Sequence, residues 1–241
     1  MPKNQTEAIV LRTFPIGNQD KMVVLLTRDK GLLKGIAKGA KKFGNRFGSS
    51  LEPMSQVKAF YYEKENQDLV TFGSCDLLES FFDLQSRLET VYALNYFSEL
   101  IENSRPSHSD EDLLFRLLLT ILKEFRGGGN PVLLTAYFEV WLLKINGFLP
   151  QFQTCRKCGK PSPEWLSPAK DGALCSACAP QKKERIRSDL PEFIRWVRKN
   201  PPSGSYPFSP EKINNIRGVL RELIAFHFEL VPLASQIIDS A

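Results

Sequence analysis

The sequence predicts an α+β chain in several parts: a small five-stranded barrel at the N-terminus, then an α-helical domain with a four-cysteine knuckle inserted into it. Three observations carry this. From Glu7 to about Ser74 the apolar residues come in short runs rich in Val, Ile, Phe and Tyr, separated by turn signals. Beyond Cys75 they recur at helical spacing. Four of the five cysteines form two Cys-x-x-Cys pairs, Cys155/Cys158 and Cys175/Cys178, with sixteen residues between the pairs.

The strand runs are AIVL at 8–11, MVVLL at 22–26, LLKGIA at 32–37, VKAFYY at 57–62 and LVTF at 69–72. Five short strands in about seventy residues fit the OB-fold. The longest gap, KGAKKFGNRFGSSLEP, falls between the third and fourth. Leu84, Leu88, Val91, Tyr92, Phe97, Leu100 and Ile101 then mark a first helix. DEDLLFRLLLTILKEF opens on acids suited to a helix N-terminus, and PVLLTAYFEVWLLKING starts at Pro131 and stops at Gly147. These two segments are apolar almost all round, which fits either a bundle core or a groove for a partner peptide. After the knuckle come the basic stretch KKERIR, a short helix LPEFIRWVRK, the linker PPSGSYPFSP and a last amphipathic helix from about Glu211 to Leu230. The expected division is 1–80 for the barrel, 81–153 and 183–241 for the two parts of the helical domain, and 154–182 for the knuckle.

A net charge of +5 conceals an uneven distribution. Residues 1–76 carry +4, 77–153 carry −4, 154–199 carry +6 and 200–241 carry −1. Two basic blocks around an acidic middle suggest a polyanionic partner. No apolar run reads as a signal peptide or a membrane span, so the expectation is a cytoplasmic, nucleoid-associated protein with no membrane partner. In that reducing setting thiols stay available for metal, and the lone Cys75 reads as a small buried hydrophobe.

Four thiolates complete a tetrahedral zinc shell and leave no position open for water or substrate, so one structural zinc per chain is expected at Cys155, Cys158, Cys175 and Cys178. A zinc deaminase would need a His-x-Glu upstream of its cysteine pair; His108 begins none, and His227-Phe228-Glu229 lies downstream of both pairs. There is no phosphate-cradling loop, no His-Glu-x-x-His and no Gly-x-Ser-x-Gly. No catalytic residue and no small-molecule substrate are therefore expected. His227 reads as a packed core residue.

The stretch RDKGLLKGIAKGAKKFGNRF sets Arg28, Lys30, Lys34, Lys38, Lys41, Lys42 and Arg46 against the single acid Asp29, with Phe43 and Phe47 among them. Cations interleaved with aromatic faces on a small barrel are how single strands are held without sequence preference. Arg185, Arg187 and Arg195 are candidates for a second contact.

The order of parts resembles the bacterial recombination mediator family RecO. The segment from Glu7 to Lys42 is similar to that family's opening, with Lys38-Gly39-Ala40-Lys41-Lys42 as its basic segment and Leu51-Glu52-Pro53 as the start of the next strand. Leu166-Ser167-Pro168 and Asp171-Gly172-Ala173-Leu174-Cys175 resemble the family's knuckle, with Leu166 where an aromatic is common and Asp171 in place of a glycine. Leu233-Ala234-Ser235 matches a Leu-basic-Ser segment without the basic residue. The resemblance implies a nonenzymatic protein of recombinational repair. It would bind single- and double-stranded DNA, anneal complementary strands, hold the acidic, apolar-ended tail of single-stranded DNA-binding protein (SSB), and with RecR help RecA load onto coated strands. The residues alone also admit an RNA-binding protein of translation or ribosome assembly, and, less readily, a nuclease or other zinc enzyme.

Overall fold

The computed structural model describes residues 3–63, 67–104, 111–161, 163–167, 169–179, 185–186, 189–203 and 206–229. The chain folds as two compact units, one ending at Gly128 and the other beginning at Gly129.

The first unit holds β1 (Lys3–Ile16), β2 (Asp20–Thr27), β3 (Leu32–Ala37), β4 (Gln56–Tyr62) and β5 (Val70–Glu79), closed into a barrel in the order β1-β2-β3-β5-β4. This is the five-stranded, OB-like barrel that the runs predict. β1 is far longer than its apolar run because it serves two partners. Its first half pairs with β4, from Lys3↔Tyr62 to Ile9↔Gln56, and its second half with β2, from Ala8↔Thr27 to Ile16↔Asp20. A bulge between Val10 and Arg12 bends the strand where the partners change. β5 likewise runs past Cys75 to Glu79, since β4 pairs with it as far as Gln56↔Glu79.

Val10, Val23, Leu25, Val57, Ala59, Tyr61 and Phe72 fill the barrel, together with Cys75. Burial and the nearby Asp76 charge push the Cys75 thiol up to about 12, so it is an inert core residue, as its context predicts. Ile9, Leu11, Val24 and Leu26 are equally buried but lie outside that interior. The helices α1 (Leu88–Asn103) and α2 (Glu111–Arg126) account for them. The Ser98 hydroxyl of α1 donates to the Leu11 carbonyl at 3.5 Å, and Glu102 pairs with Arg12 at 2.8 Å. α2 touches both β1 and β2. Its Leu114, Phe115, Leu118, Ile121, Leu122 and Phe125 form one buried stripe, while Leu113, Arg116, Lys123 and Arg126 face water. α2 is thus one-sided, not apolar all round. The boundary between units falls inside the 81–153 stretch that reads as a single helical piece, because α1 and α2 cover the outside of the barrel.

The second unit packs α3 (Pro131–Ile145), α4 (Asp189–Lys199) and α5 (Pro210–His227) together, with a small hairpin of β6 (Trp165–Leu166) and β7 (Ala173–Leu174) in the knuckle. Asn130 and Ser209 cap α3 and α5 through their side chains. α3 is buried on nearly every side, as its sequence predicts; even Glu139 is enclosed, beside the equally buried Arg217 of α5 at 3.6 Å. Phe193, Trp196 and Phe208 cluster at α4, and Tyr137 donates to the Asn200 carbonyl. Among the described residues no helix is long and apolar enough to cross a membrane.

Candidate nucleic-acid interface and metal centre

The connection from β3 to β4 is pinned at several points. Gly39 N–H donates to the Asp20 carboxylate at 2.8 Å, Lys41 N–H to the Gln19 carbonyl at 2.9 Å, and Lys41 Nζ to the Gly17 carbonyl at 3.3 Å. Ala40, Phe47 and Leu51 are buried as part of the barrel core, and Asn45 accepts from the N–H groups of Phe47 and Gly48. Gly39 and Gly44 turn the chain at φ +74° and +65°, a conformation that favours glycine. Between these anchors the loop presents Lys38, Lys42, Phe43 and Arg46, all exposed, with the Phe43 ring fully in solvent.

The predicted cations therefore divide. Lys34, on the outer side of β3, and Lys38, Lys41, Lys42 and Arg46 are exposed and make no ion pair among the described residues. Arg28 instead pairs with Glu7 and Asp112 at 2.8 and 3.5 Å and lies over the Phe115 ring, which fastens α2 to the barrel. Lys30 pairs with Glu63 at 3.4 Å. Phe47 corrects the sequence reading outright: at 3% exposed it is a core side chain, and a ring in that position cannot stack on a base. Its neighbour Arg46 covers it, the guanidinium 5.1 Å from the ring centre.

Sequence reasoning missed the barrel's own outer row. Phe14, Met22, Ile36, Thr71 and Tyr62 follow one another across all five strands in register, each partly accessible. The Tyr62 ring lies against Gly73, where a Cβ would come within 3.0 Å of it. Period-2 alternation across MVVLL and LLKGIA is the signal that could have found this row. It is masked because the outward residues Val24 and Leu26 are apolar too, being covered by helices.

In the second unit, Arg195 and Arg198 of α4 and Lys144 of α3 edge a cavity of about 350 Å³ whose other lining includes Leu149, Phe152 and Ile194. Among the described residues no carboxylate lines it. Burial, and then the charge of Arg198, hold the Lys144 ammonium below the usual lysine range. Arg185 is paired with Glu164 at 3.4 Å, and Arg187 lies outside the described residues, as do His108, Leu230 and the 233–235 segment.

The knuckle is built from two similar turns. Gly159 N–H donates to the Cys155 carbonyl at 2.8 Å, and the N–H groups of Cys178 and Ala179 donate to the Cys175 carbonyl at 3.0 Å. The turns are joined by Arg156 N–H to the Ala173 carbonyl at 2.8 Å. All four sulfur atoms fall within 4.8 Å of one another, and Cys158 Sγ is 3.7 Å from Cys175 Sγ. A zinc ion with Zn–S bonds of about 2.3 Å needs tetrahedron edges of about 3.8 Å, so the residues fit. Donation from the Cys175 N–H lowers the Cys155 thiol to about 6, whereas hydrogen bonds shared with Cys158 and Cys175 push Cys178 up to about 12. The first thiolate forms readily and the last resists, and a bound cation removes that resistance. Asp171 accepts from the Ser167 hydroxyl at 2.7 Å and pairs with Arg156, tying the hairpin loop to the first turn. His227 stacks on Phe148 at 4.7 Å and sets Nε2 3.2 Å from the Lys170 carbonyl.

Two family models match the chain: Recombination protein O N terminal over residues 1–81, and Recombination protein O C terminal over residues 85–237. The chain belongs to the RecO family. Relatives named DNA repair protein RecO include that of Koribacter versatilis, 38% identical over 174 residues and 71% of each chain. That of Anaeromyxobacter dehalogenans is 32% identical over 184 residues, 75% of this chain and 72% of its own. That of Dehalococcoides mccartyi is 28% identical over 242 residues, 98% of this chain and 95% of its own. In this RecO-family chain the family-like segment Lys38–Lys42 is therefore the anchored, exposed loop of the barrel. The departure at Asp171 has a role of its own in the knuckle.

Proposed function

We propose that this RecO-family chain works in DNA repair and recombination as a nonenzymatic DNA-binding mediator. It binds single- and double-stranded DNA, anneals complementary strands without ATP and, with RecR, helps RecA load onto SSB-coated DNA. The observation that carries the reading is the anchored loop on which Lys38, Lys41, Lys42 and Arg46 stand around a fully exposed Phe43, with no carboxylate partner among the described residues. Such a loop meets phosphates with its cations and a base with its ring, at little ordering cost because its backbone is already held. Lys34 and the Phe14–Tyr62 row add further accessible side chains on the outside of the barrel.

The cationic cavity beside α4 supports the second half of the reading. An SSB tail is acidic and ends in apolar side chains, which suits a floor of Leu149, Phe152 and Ile194 rimmed by Lys144, Arg195 and Arg198. Holding coat protein and DNA together raises the effective concentration of one for the other. We assign zinc to the four thiols as a structural ion, one per chain, because soft thiolates in a closed tetrahedron select it.

The test is annealing of complementary strands coated with SSB. Expected is pairing without ATP, abolished by excess tail peptide on coated strands and unaffected by it on naked ones. Failure to anneal either kind would sink the mediator reading, and tighter binding to RNA than to DNA of the same sequence would move the chain to RNA.

A further inference from the structure

The wall of the cationic cavity opposite α4 is residues 147–153, a stretch with neither helix nor strand to hold it. Its conformation comes from its two ends. At the first, the N–H groups of Phe148 and Leu149 donate to the Leu143 carbonyl, and the Phe148 ring is stacked on His227, only 6° from parallel. His227 in turn bonds the carbonyl of Lys170, in the loop between β6 and β7 of the knuckle. At the second end, Thr154 bridges to Pro161 and Cys155 N–H donates to the Lys160 carbonyl at 2.7 Å, inside the first thiol turn. The wall is thus held by α3 and, through His227, by the Lys170 loop at one end, and by the first thiol turn at the other.

From this we propose that the four-cysteine site and the cavity are thermodynamically linked, so that metal occupancy of the knuckle sets the cavity's affinity for an acidic peptide. This rests on the reading of the cavity as a peptide seat given above. Besides the metal, the two thiol turns are joined by Arg156 N–H to the Ala173 carbonyl, by the Arg156–Asp171 pair and by the β6–β7 hairpin, so metal release leaves Cys155 and the Lys170 loop more loosely tied, by those bonds alone. The segment that presents Leu149 and Phe152 keeps its bonds to the Leu143 carbonyl but loses the firm support of the knuckle, and peptide binding must supply the ordering that the knuckle supplied before. Linkage is reciprocal: bound peptide holds the wall, and the wall holds the first turn against metal loss. The consequence is a repair protein whose grip on a peptide partner falls when its thiols lose metal, while its barrel, in the other compact unit, keeps its hold on DNA.

The probe is a fluorescent acidic nonapeptide ending in two apolar residues, titrated by anisotropy into the full chain carrying zinc, after chelation under reducing conditions, and after zinc is restored. Expected is a peptide affinity about 5- to 150-fold weaker without metal and recovered with it, the usual span of coupling between sites. Affinity for single-stranded DNA should stay unchanged. A second measurement does not depend on the metal-free state being folded: release of zinc to a chelator should slow in the presence of saturating peptide. His227→Phe keeps the stack and removes the bond to Lys170; it should bind peptide more weakly with one zinc still bound. No peptide binding by the zinc-loaded chain would overturn the peptide reading. Equal affinity in all metal states, with zinc release indifferent to peptide, would leave that reading standing and overturn the linkage.

Discussion

Gly35 of β3 and Val70 of β5 are paired across the parallel seam that closes the barrel, and a Cβ on Gly35 would sit 2.5 Å from both the carbonyl oxygen and Cγ2 of Val70. The seam is short, running only from Gly35↔Val70 to Ala37↔Phe72. Nothing there can yield, since one of the obstructing atoms is backbone. Gly35→Ala should therefore cost about 3 kcal/mol or more, at or beyond the upper end of ordinary overpacking. Gly218→Ala is the counterpart: inside α5, with nothing within 4 Å, it should stabilise by about 0.5–1 kcal/mol. Urea unfolding of both variants measures the contrast.

Phe43 and Phe47, four residues apart in one loop, should respond in opposite ways. Phe43→Ala should weaken single-strand binding by about 1–3 kcal/mol and leave the melting temperature alone. Phe47→Ala empties a core position and should lower stability by about 3–5 kcal/mol. Calorimetry and a DNA titration on each variant separate the roles, and a thermally unaltered Phe47→Ala would contradict its burial.

Charge reversal of Lys38, Lys41, Lys42 or Arg46 to Glu should weaken binding alike for all sequences. On single strands the slope of log affinity against log salt should fall by about 0.7 for each phosphate that is no longer neutralised. Arg28→Glu should instead show chiefly as reduced stability, because its partners are Glu7, Asp112 and Phe115. An unaltered slope in all four loop variants would move the interface to another face.

Thiol chemistry should report the knuckle directly. Purified protein should carry one zinc, and Cys158→Ser should lose it and lower the stability of the second unit. After chelation all four knuckle thiols should be alkylated at pH 8, whereas the zinc-loaded knuckle should resist. Cys75, near 12 and buried, should stay unmodified at pH 8 until the barrel unfolds. Mass spectrometry of alkylated peptides reads the order.

Glu139 and Arg217 are both enclosed in the second unit, 3.6 Å apart. Each charge is buried beside the other, so Glu139→Gln or Arg217→Met should each be destabilising, by up to about 3–5 kcal/mol. The double variant Glu139→Leu with Arg217→Met should cost clearly less than the sum. Additive losses in a double-mutant cycle would show that the two charges do not depend on each other.

Much of this protein is written locally. The five strand runs, the Pro131 start and Gly147 stop of α3, and the paired cysteines are each decided by neighbours within a few residues, where periodicity, caps and turn chemistry act. For the same reason the family resemblance and the set of four cysteines that could hold a metal ion are legible in the string of residues itself. What lay beyond reach depends on partners distant along the chain. β1 reads as four apolar residues but spans fourteen, because half of it exists only as the edge that β4 pairs with. α2 looks apolar throughout, and only packing on the barrel decides which stripe is buried. Phe43 and Phe47 have the same side chain and like surroundings in sequence, yet one is in solvent and the other in the core. The cations of residues 28–47 look equivalent in a string, but Arg28 meets an acid from a helix more than eighty residues on, while Lys38 and Lys42 meet none among the described residues. Composition sets how much charge and apolar surface a segment carries; only closure of the fold decides which of it is neutralised, which is buried and which is left to meet a partner.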